Sequence, residues 1–256
     1  MKSSYKEVKE RQEAIIDFVK EKKSTTVDTL VKVFNVSPAT IRRDLVTLAN
    51  IGQIEKSFGK VTSKENIIDY DHKNENMDRI KDELAKIAAN FIDRDSTIFI
   101  NSSSAAAKVS KYLASKRVNI ITNNVKVAFE DHHPQSTIVL TSGEVRYPKE
   151  ALVGSYTIDF IEKVQADIAV IGCYGLSIKD GLTTPVLAEA KINNMMIKNT
   201  RKKVIAIADY RKLGNIATFK SAEAKQIDYL ITDSYADQKI IKELEDIGII
   251  VVQINI

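Results

Sequence analysis

The sequence predicts an α/β protein with a small helical head and a larger domain built on a mostly parallel sheet. Apolar residues recur at three- and four-residue spacing over the first fifty positions, which is typical of amphipathic helices. After a polar stretch, the pattern changes to short apolar strands separated by segments of helical length. Parallel strands need such crossovers, and the crossover helices cover the faces of the sheet.

The head is assigned to residues 1–61 and is expected to contain three helices. Their apolar residues repeat with helical spacing over 6–20, 27–34 and 38–50. Thr26 and Ser37 are suitable N-caps for the second and third helices, and Pro38 fits the first helical position because its missing N–H is not needed there. The segment Ser24–Thr26 is expected to be a break between the first two helices.

A short hairpin is expected after Gly52, which ends the third helix. Apolar and polar residues alternate over 53–61 around Gly59, and this pattern predicts two antiparallel strands that form a wing beside the helices. The following stretch, 62–77, is polar and has no continuous apolar stripe, so we expect a linker there. The second domain is assigned to 78–256.

The second domain alternates helices and strands. A helical stripe over 80–91 precedes the first strand, and helices are expected in the gaps between the later strands. The expected strands are 97–100, 119–122, 137–140, 167–172, 203–208, 227–232 and 249–254. Short apolar strands with helix-length connections indicate a sheet that is covered on both faces.

The composition argues against several classes of protein. No apolar run is long enough to cross a membrane and residues 1–11 are polar, so we expect neither a membrane span nor a signal peptide, and a cytoplasmic location. Cys173 is the only cysteine, and three histidines with one thiol give no spacing suited to zinc. We therefore expect no metal and no cofactor.

Positive charge is concentrated in the head. Residues 1–64 hold 13 lysines and arginines against 8 aspartates and glutamates, whereas the rest of the chain holds 25 against 26. A basic end on a near-neutral body is expected of a domain that binds a polyanion such as DNA. The alternative is a lysine-rich surface that is merely solvated.

The third helix carries two adjacent arginines on its outer side. Ile41, Leu45 and Leu48 share one face at i, i+4 and i+7, which leaves Arg42 and Arg43 pointing outwards. A guanidinium group is a rigid fork of donors that can bind a phosphate or the O6 and N7 atoms of guanine. The helix therefore has the chemistry expected of a DNA recognition helix.

The alternative for the two arginines is an ion pair with Asp44 or Glu55 on a solvated surface. The surrounding residues, however, resemble the N-terminal domain of the DeoR family of bacterial transcriptional regulators. The helix-turn-helix of that family typically has valine, serine, two variable residues and TIRRDL, followed by a glycine and a basic wing. Residues 36–37 and 40–45 match this pattern without a gap, and so does Gly52.

This resemblance implies that the third helix and the wing contact a double-stranded DNA operator. The residues implied are Ser37, Ala39, Thr40, Arg42 and Arg43 in the helix, with Lys56 and Lys60 in the wing. The wing departs from the family's usual arginine-x-histidine-glycine-glycine. Because one helix-turn-helix reads few base pairs, we expect a homo-oligomer, a dimer or a tetramer, on repeated half-sites.

Most of the second domain resembles the C-terminal effector domain of the same family, which is similar to ribose-5-phosphate isomerases. The segment IFINSSSAAAKVS follows the first strand, where the family has an aspartate and then a loop rich in glycine, serine and threonine. Further matches are the pair 122–123, Gly143 with Arg146, the long signature 171–197, and ADYRKLG at 208–214. A hydroxyl-rich loop that enters a helix would offer N–H and O–H donors to a phosphate.

The resemblance implies an effector site for a small phosphorylated metabolite at the loops that follow the strands, where open α/β sheets bind ligands. Lys212 is the best candidate for a cation that pairs with a phosphate. The alternative for the three serines of the first loop is that one caps the helix and the others are solvated. The residues implied are Asn101, Ser102, Ser103, Ser104, Thr122, Asn123, Gly143, Arg146, Gly172, Tyr174, Gly175, Glu189, Asp209 and Lys212.

Four positions depart from the family's effector pattern. Ser103 and Ser142 stand where the family has glycine, Ala105 stands where it has threonine, and Asn193 stands where a lysine is usual, four residues beyond the glutamate. Loss of glycine restricts close backbone approach, and loss of a cation weakens anion binding. Either the metabolite differs from the common sugar phosphates, or the pocket is partly degenerate.

The resemblance implies a transcriptional regulator of carbohydrate-metabolism genes, a repressor relieved by its ligand, although activators occur in the same family. We expect no enzyme, because the phosphate loop is altered and the extra lysine is absent. The rival interpretation is a sugar-phosphate isomerase or deaminase fused to a DNA-binding head. Such chemistry needs an acid or base carboxylate, which Glu189, Asp180 or Asp209 could supply. Fold alone does not decide between the two, because one scaffold hosts unrelated functions.

Overall fold

The structure, a computed structural model, describes residues 5–22, 24–50, 54–57, 60–63 and 75–255. The chain divides into two compact units, 1–72 and 73–256. Gly52 and Gly59, which were expected to end a helix and to turn a hairpin, lie outside the described residues. In the described ranges, no helix is both long and apolar enough to cross a membrane.

The first unit contains three helices and a three-stranded antiparallel sheet. The helices are α1 (Tyr5–Lys22), α2 (Val27–Phe34) and α3 (Pro38–Asn50), as the apolar spacing predicts. The strands are β1 (Ser24–Thr26), β2 (Ile54–Ser57) and β3 (Lys60–Ser63), in the order β1-β3-β2.

The predicted hairpin is confirmed as β2 and β3, and the predicted break between α1 and α2 at Ser24–Thr26 is also confirmed. The break is in addition a strand, which was not predicted: it pairs with β3 and buries Thr25 opposite Val61. Three residues are too few to show a strand period. Strand β3 ends at Ser63 and the next helix begins at Glu75, so both extend into the range 62–77 that was assigned to a linker.

Side-chain caps fix the ends of the short helices in the head. The hydroxyl of Thr26 accepts a hydrogen bond from the Thr29 N–H at 3.2 Å, and that of Ser37 accepts one from the Thr40 N–H at 3.2 Å. Asn35 adopts the left-handed conformation, φ 49°, in the turn between α2 and α3. Together these groups set the bend of a helix-turn-helix.

The second unit is built on a seven-stranded sheet in which every neighbouring pair is parallel. All seven expected strands are confirmed, with ends that differ by at most three residues. They are β4 (Thr97–Ile100), β5 (Asn119–Thr122), β6 (Thr137–Leu140), β9 (Ala166–Gly172), β12 (Thr200–Ile207), β14 (Tyr229–Asp233) and β15 (Ile250–Ile254).

Helices cover both faces of this sheet, as expected. The helices are α4 (Glu75–Asn90), α5 (Ser104–Ala107), α6 (Ser155–Glu162), α7 (Leu187–Lys198) and α8 (Gln238–Asp246). Strand residues alternate between two cores: Ile98 and Ile100 pack on the side of α4, and Phe99 packs on the side of α7.

Helices do not fill every gap, so that part of the prediction is wrong. Between β12 and β14 the chain forms two short 3₁₀ turns and a strand, and five strands in all form small antiparallel sheets beside the main one. They are β7 (Glu144–Arg146), β8 (Ala151–Val153), β10 (Gly175–Ser177), β11 (Gly181–Thr184) and β13 (Phe219–Ala222). Most of these short segments mix polar and apolar residues, so they lack the apolar run that marks the four-residue strands of the main sheet.

The strand order creates a crevice between β4 and β9. The order in the sheet is β15-β14-β12-β9-β4-β5-β6, so the chain proceeds from β4 to β6 on one side and then returns to β9 on the other. Open parallel sheets bind ligands outside the carboxyl ends of the strands at such a reversal. Asn101 follows β4 and Gly172 ends β9, which places both residues there.

Candidate functional site

The inner face of α3 is fixed by apolar packing and by a partly buried ion pair. Ile41, Leu45 and Leu48 are fully buried, as predicted. Asp44 is also buried, and it accepts hydrogen bonds from Arg11 Nε at 2.7 Å and from Gln12 Nε2 at 3.0 Å. Both donors lie on α1, so the carboxylate orients α3 relative to α1.

The outer face of α3 exposes Arg42 and Arg43. Asp44 points inwards and cannot serve as their partner, and no acidic side chain in the described ranges forms an ion pair with either arginine. The side chain of Glu55 lies outside those ranges. Two guanidinium groups on a rigid exposed helix can bind phosphates or base edges of a duplex.

The other predicted DNA contacts differ in exposure. Ser37 and Ala39 are exposed and Thr40 is half-buried at the start of α3, where the Ser37 and Thr40 hydroxyls lie 2.9 Å apart. Their oxygens therefore already serve the helix cap. Lys60 is exposed at the start of β3, and the side chain of Lys56 lies outside the described residues.

The second candidate site begins at Asn101, in the crevice between β4 and β9. Its Nδ2 donates to the Gly172 carbonyl and to Asn193 Oδ1, both at 2.9 Å. Its Oδ1 accepts hydrogen bonds from Gly172 N at 3.0 Å and Ser103 N at 3.3 Å. The amide thus joins the two central strands to the following loop and to α7.

The effector loop, Ser102–Ser104, follows Asn101 directly, but the helix that it enters is a single turn. Ser102 is buried and Ser103 and Ser104 are half-exposed, while α5 spans only four residues, Ser104–Ala107. A helix of one turn has no substantial dipole, so α5 does not provide the helix N-terminus that was expected to bind a phosphate. Ser103 precedes α5 without a side-chain cap bond, which leaves the hydroxyl-capping alternative without support at that residue.

Thr122 and Asn123, at the carboxyl end of β5, have different roles. Thr122 is fully buried, donates to the Ile100 carbonyl at 2.7 Å and accepts from Asn124 N at 3.0 Å, so its hydroxyl is engaged within the fold. Asn123 donates through Nδ2 to the Leu152 carbonyl, but its buried Oδ1 has no hydrogen-bond partner among the described residues. A buried oxygen of this kind is suited to accept from a ligand hydroxyl.

Glu189 lies in the first turn of α7, and its buried carboxylate is surrounded by three donors. Arg146 Nη1 donates to Oε1 at 2.9 Å, while Lys149 Nζ and Thr184 Oγ1 donate to Oε2 at 3.4 and 3.1 Å. Both cations come from the β7–β8 hairpin and its turn. Two cations share one carboxylate, so the cluster keeps an excess of positive charge that favours anions.

Lys149 is a residue that the sequence analysis missed. It lies in RYPKE, where no matched motif marks it, and its partner Glu189 follows 40 positions later. Arg146 and Glu189, by contrast, were each predicted from separate motifs, and the structure brings these two residues into direct contact.

The predicted glycines have packing reasons of their own. A Cβ atom at Gly172 would overlap the side chain of Ser103, so glycine there allows the first loop to approach β9. Gly143 has φ 128°, and a Cβ atom would overlap Thr157 Oγ1 and the Val153 carbonyl. Gly175 similarly faces the Asn215 carbonyl.

A third cluster follows β12 and contains Asp209, Arg211 and Lys212. Arg211 binds the buried Asp209 carboxylate with two nitrogens, at 2.8 and 3.0 Å. The Lys212 ammonium lies 5.2 Å from the centre of the Tyr174 ring, in the geometry of a cation–π contact. The structure therefore brings together Tyr174 and Lys212, which were predicted from separate motifs.

Two further groups near this cluster have altered acidity. Burial raises the pKa of the Cys173 thiol to about 12, although the Lys212 ammonium acts in the opposite direction, so the thiol stays neutral near pH 7. Burial also raises the pKa of Asp233, against hydrogen bonds from the Tyr210 and Tyr235 N–H groups that lower it. In the described part of the chain, no group of three or more histidine, cysteine, aspartate or glutamate side chains is placed to hold a metal.

The sequence is similar to two family models and to several curated proteins. The DeoR C terminal sensor domain matches residues 76–234, and the DeoR-like helix-turn-helix domain matches residues 11–66. The chain is 32% identical over 254 residues to the HTH-type transcriptional regulator GlpR of Haloferax volcanii, covering 95% of this chain and 96% of that protein.

Two further relatives are similar over nearly the whole chain. The HTH-type transcriptional regulator GolR of Listeria innocua is 30% identical, covering 94% of this chain and 96% of that protein. The glycerol-3-phosphate regulon repressor of Escherichia coli is 29% identical, covering 93% and 95%.

Solved structures give weaker similarities. Ribose 5-phosphate isomerase A of Methanocaldococcus jannaschii superposes with a TM-score of 0.38 at 14% identity, covering 53% of this chain and 54% of that one. The delta subunit of eIF2B from Chaetomium thermophilum gives 0.43 at 15% identity, covering 77% and 64%. At these scores neither superposition bears on the function of the chain.

The sensor-domain model alone matches more than half of the chain, and the relatives match it almost from end to end. The chain therefore belongs to the DeoR family of transcriptional regulators, with a DNA-binding helix-turn-helix head and a C-terminal sensor domain.

Proposed function

We propose that this chain represses carbohydrate-metabolism genes by binding a double-stranded operator, and that a small phosphorylated metabolite releases it. The observation that carries the proposal is the exposure of Arg42 and Arg43 on a helix whose inner face is held by Asp44 and Arg11. A recognition helix needs both properties, because exposed donors that are not held in place lose side-chain and backbone entropy on binding.

On the DNA side, Arg42 and Arg43 supply the charged contacts of the recognition helix. Ser37, Ala39 and Thr40 lie in its first turn, close enough to a duplex to approach the backbone, and Lys56 and Lys60 contact phosphates from the wing. The protein acts as a homo-oligomer, because two heads are needed to read repeated half-sites.

On the effector side, three cations and one buried oxygen support a phosphorylated ligand. Arg146, Lys149 and Lys212 provide positive charge, and the unpartnered Oδ1 of Asn123 can accept from a hydroxyl. The similar E. coli protein is named for the glycerol-3-phosphate regulon. By analogy with that protein we propose only the class of ligand, a small phosphorylated polyol or sugar.

The chain is proposed to be a regulator without catalytic activity. The three carboxylates that an isomerase could use are already engaged: Glu189 with two cations and a hydroxyl, Asp209 with Arg211, and Asp180 with the Ser177 hydroxyl at 3.1 Å. A general base must be free to accept a proton from the substrate. Measurable turnover of an aldose or ketose phosphate would reinstate the enzymatic interpretation.

Ligand and operator are proposed to be coupled through a two-state equilibrium of the oligomer. The ligand stabilises the state in which the heads are wrongly spaced for the half-sites. A coupling free energy of about 1 to 3 kcal/mol gives a roughly 5- to 150-fold change in operator affinity.

The test is a gel shift with DNA from upstream of the chain's own gene. We expect retardation at physiological salt, and weakening of it by glycerol 3-phosphate or by a member of a panel of aldose and ketose phosphates. Unphosphorylated glycerol is the matched control and should have no effect. Absence of retardation, or equal release by glycerol, would contradict the proposal.

A further inference from the structure

The amide of Asn101 has no hydrogen-bonding capacity left for a ligand. An asparagine side chain offers two N–H donors and an oxygen with two lone pairs. Both donors are engaged, with the Gly172 carbonyl and Asn193 Oδ1, and the oxygen accepts from Gly172 N and Ser103 N. The residue is also buried, so we expect it to hold the effector loop in place and not to contact a ligand.

Asn193 is the partner that connects this loop to the other clusters. It lies four residues, about one helical turn, beyond Glu189 on α7, and it is buried. Its Oδ1 accepts from Asn101, and its Nδ2 lies 3.5 Å from Ser221 Oγ on β13. One face of α7 therefore presents Glu189 to the Arg146 and Lys149 cations and Asn193 to the effector loop.

These two contacting residues come from distant parts of the chain. Asn101 is the first residue after β4, and Asn193 lies on α7. The two are 92 positions apart in the chain and 2.9 Å apart in space. One buried contact between two neutral amides therefore joins the loop after β4 to α7.

A charged residue at only one of these two positions is incompatible with this arrangement. An aspartate at 101 would place a carboxylate oxygen against two acceptors, the Gly172 carbonyl and Asn193 Oδ1. A lysine at 193 would face the Asn101 Nδ2 donor, so the amide could meet it only by turning over and breaking its bonds to Gly172. An aspartate and a lysine together restore a donor opposite an acceptor, at the same total charge as the amide pair.

We infer that Asn101 and Asn193 are a positioning pair, whose neutral amide contact holds the Ser102–Ser104 loop against β9. This inference rests on the proposed effector-responsive function.

The test compares four variants of the full chain by thermal melting without ligand or DNA: N101D, N193K, N101D/N193K and N101D/N194K. Asn194 is the matched control because it is adjacent on α7 but bonds the Ser221 carbonyl instead of Asn101. We expect each single variant to melt lower by about 5 °C or more, N101D/N193K to recover most of that loss, and N101D/N194K to recover none.

A pH profile adds a measurement that a general packing defect would not change. A protonated aspartate can donate as the amide does, so the native state of N101D should hold its carboxyl protonated with a raised pKa. A raised native pKa gives stability that is present at low pH and lost as the pH rises. The deficit of N101D relative to the natural chain should therefore grow from about pH 5 to about pH 8, and it should be flat for N101D/N193K.

Inorganic phosphate then tests the link to the effector site, with chloride at equal ionic strength as the control. The phosphate-induced rise in melting temperature should be smaller in N101D and restored in N101D/N193K. Losses that simply add in the double variant, or equal recovery with N194K, would overturn the pairing. A natural chain that phosphate does not stabilise would instead contradict the proposed ligand class, while the melting comparison without ligand still decides the pairing.

Discussion

Arg11 and Asp44 form a partly buried ion pair, Nε to Oδ2 at 2.7 Å, that ties α1 to α3. Asp44 belongs to the same TIRRDL run as the two exposed arginines, so one short segment supplies both the anchor and two exposed positive charges. The run can thus be understood physically: Ile41, Asp44 and Leu45 hold the helix, and Arg42 and Arg43 remain free to meet a polyanion.

Removal of the anchor should destabilise the head. Asp44→Ala leaves the partly buried Arg11 guanidinium without this partner, and we expect a loss of about 2 kcal/mol in the free energy of unfolding, measured by urea unfolding of the full chain. Asp17→Ala removes a carboxylate that is exposed on α1 and serves as the control. Equal stability of the two variants would show that the ion pair does not anchor α3.

The close approach of the effector loop to β9 should depend on glycine at 172. Gly172→Ala overlaps the side chain of Ser103 and should lower the stability by about 2 kcal/mol. The double variant Gly172→Ala with Ser103→Gly removes the overlapping side chain and should recover most of that loss. Thermal melting of both variants makes the comparison, and a double variant as unstable as Gly172→Ala would rule out this explanation.

Lys149 should contribute less than Arg146 to the Glu189 cluster. Arg146 donates at 2.9 Å through a rigid guanidinium, whereas Lys149 lies at 3.4 Å on a flexible side chain. We expect Arg146→Ala to lower the free energy of unfolding by about 2 kcal/mol and Lys149→Ala by about 1 kcal/mol. In each variant the other cation still pairs with Glu189, and the loss is smaller when the longer contact is the one removed. Melting curves test this ranking, with the exposed Glu144→Ala on the same hairpin as control; the reverse ranking would contradict it.

The Cys173 thiol should be unreactive at neutral pH. Burial raises its pKa to about 12, so little thiolate forms even at pH values above the ordinary thiol pKa of about 8.5. Iodoacetamide alkylation of the folded chain should therefore show no rise between about pH 7 and about pH 9, in contrast to the urea-unfolded chain.

The same shift predicts a loss of stability in alkali. A raised native pKa means that the contribution of Cys173 is intact below the unfolded value and is lost as the pH rises towards the native value. Cys173→Ala should show less of this loss above about pH 9. A folded thiol that alkylates as fast as the unfolded one would contradict both expectations.

The main sheet was predictable because its strands are nearly continuous apolar runs. Segments such as Ile168–Gly172 and Val204–Ala208 are buried on both faces, which leaves a strong signal in a single sequence. Strand β1 and the small antiparallel strands beside the main sheet were not predictable, because they have only three or four residues and most of them lack an apolar run. Strand β1 is the clearest example, since its pairing is with β3, far along the chain.

The candidate site was only partly predictable for a related reason. Motif resemblance identified Arg146 and Glu189 separately, but their contact and the third member, Lys149, depend on how the β7–β8 hairpin is placed against α7. Asn193 was noticed as a departure from a pattern, whereas its contact with Asn101 is visible only in the structure. Residue types can be read locally, but pairings between distant segments are set by topology.

The central claim is that Arg42 and Arg43 bind the operator, and fluorescence anisotropy with labelled upstream DNA tests it most directly. We predict that Arg42→Ala and Arg43→Ala each lose at least about 1 kcal/mol of binding free energy with unchanged melting temperatures. A variant that removes a phosphate contact should also lower the salt slope by about 1. Lys22→Ala, which removes one exposed charge from α1, should bind as the natural chain does. Unchanged operator affinity in both arginine variants at physiological salt would contradict the account.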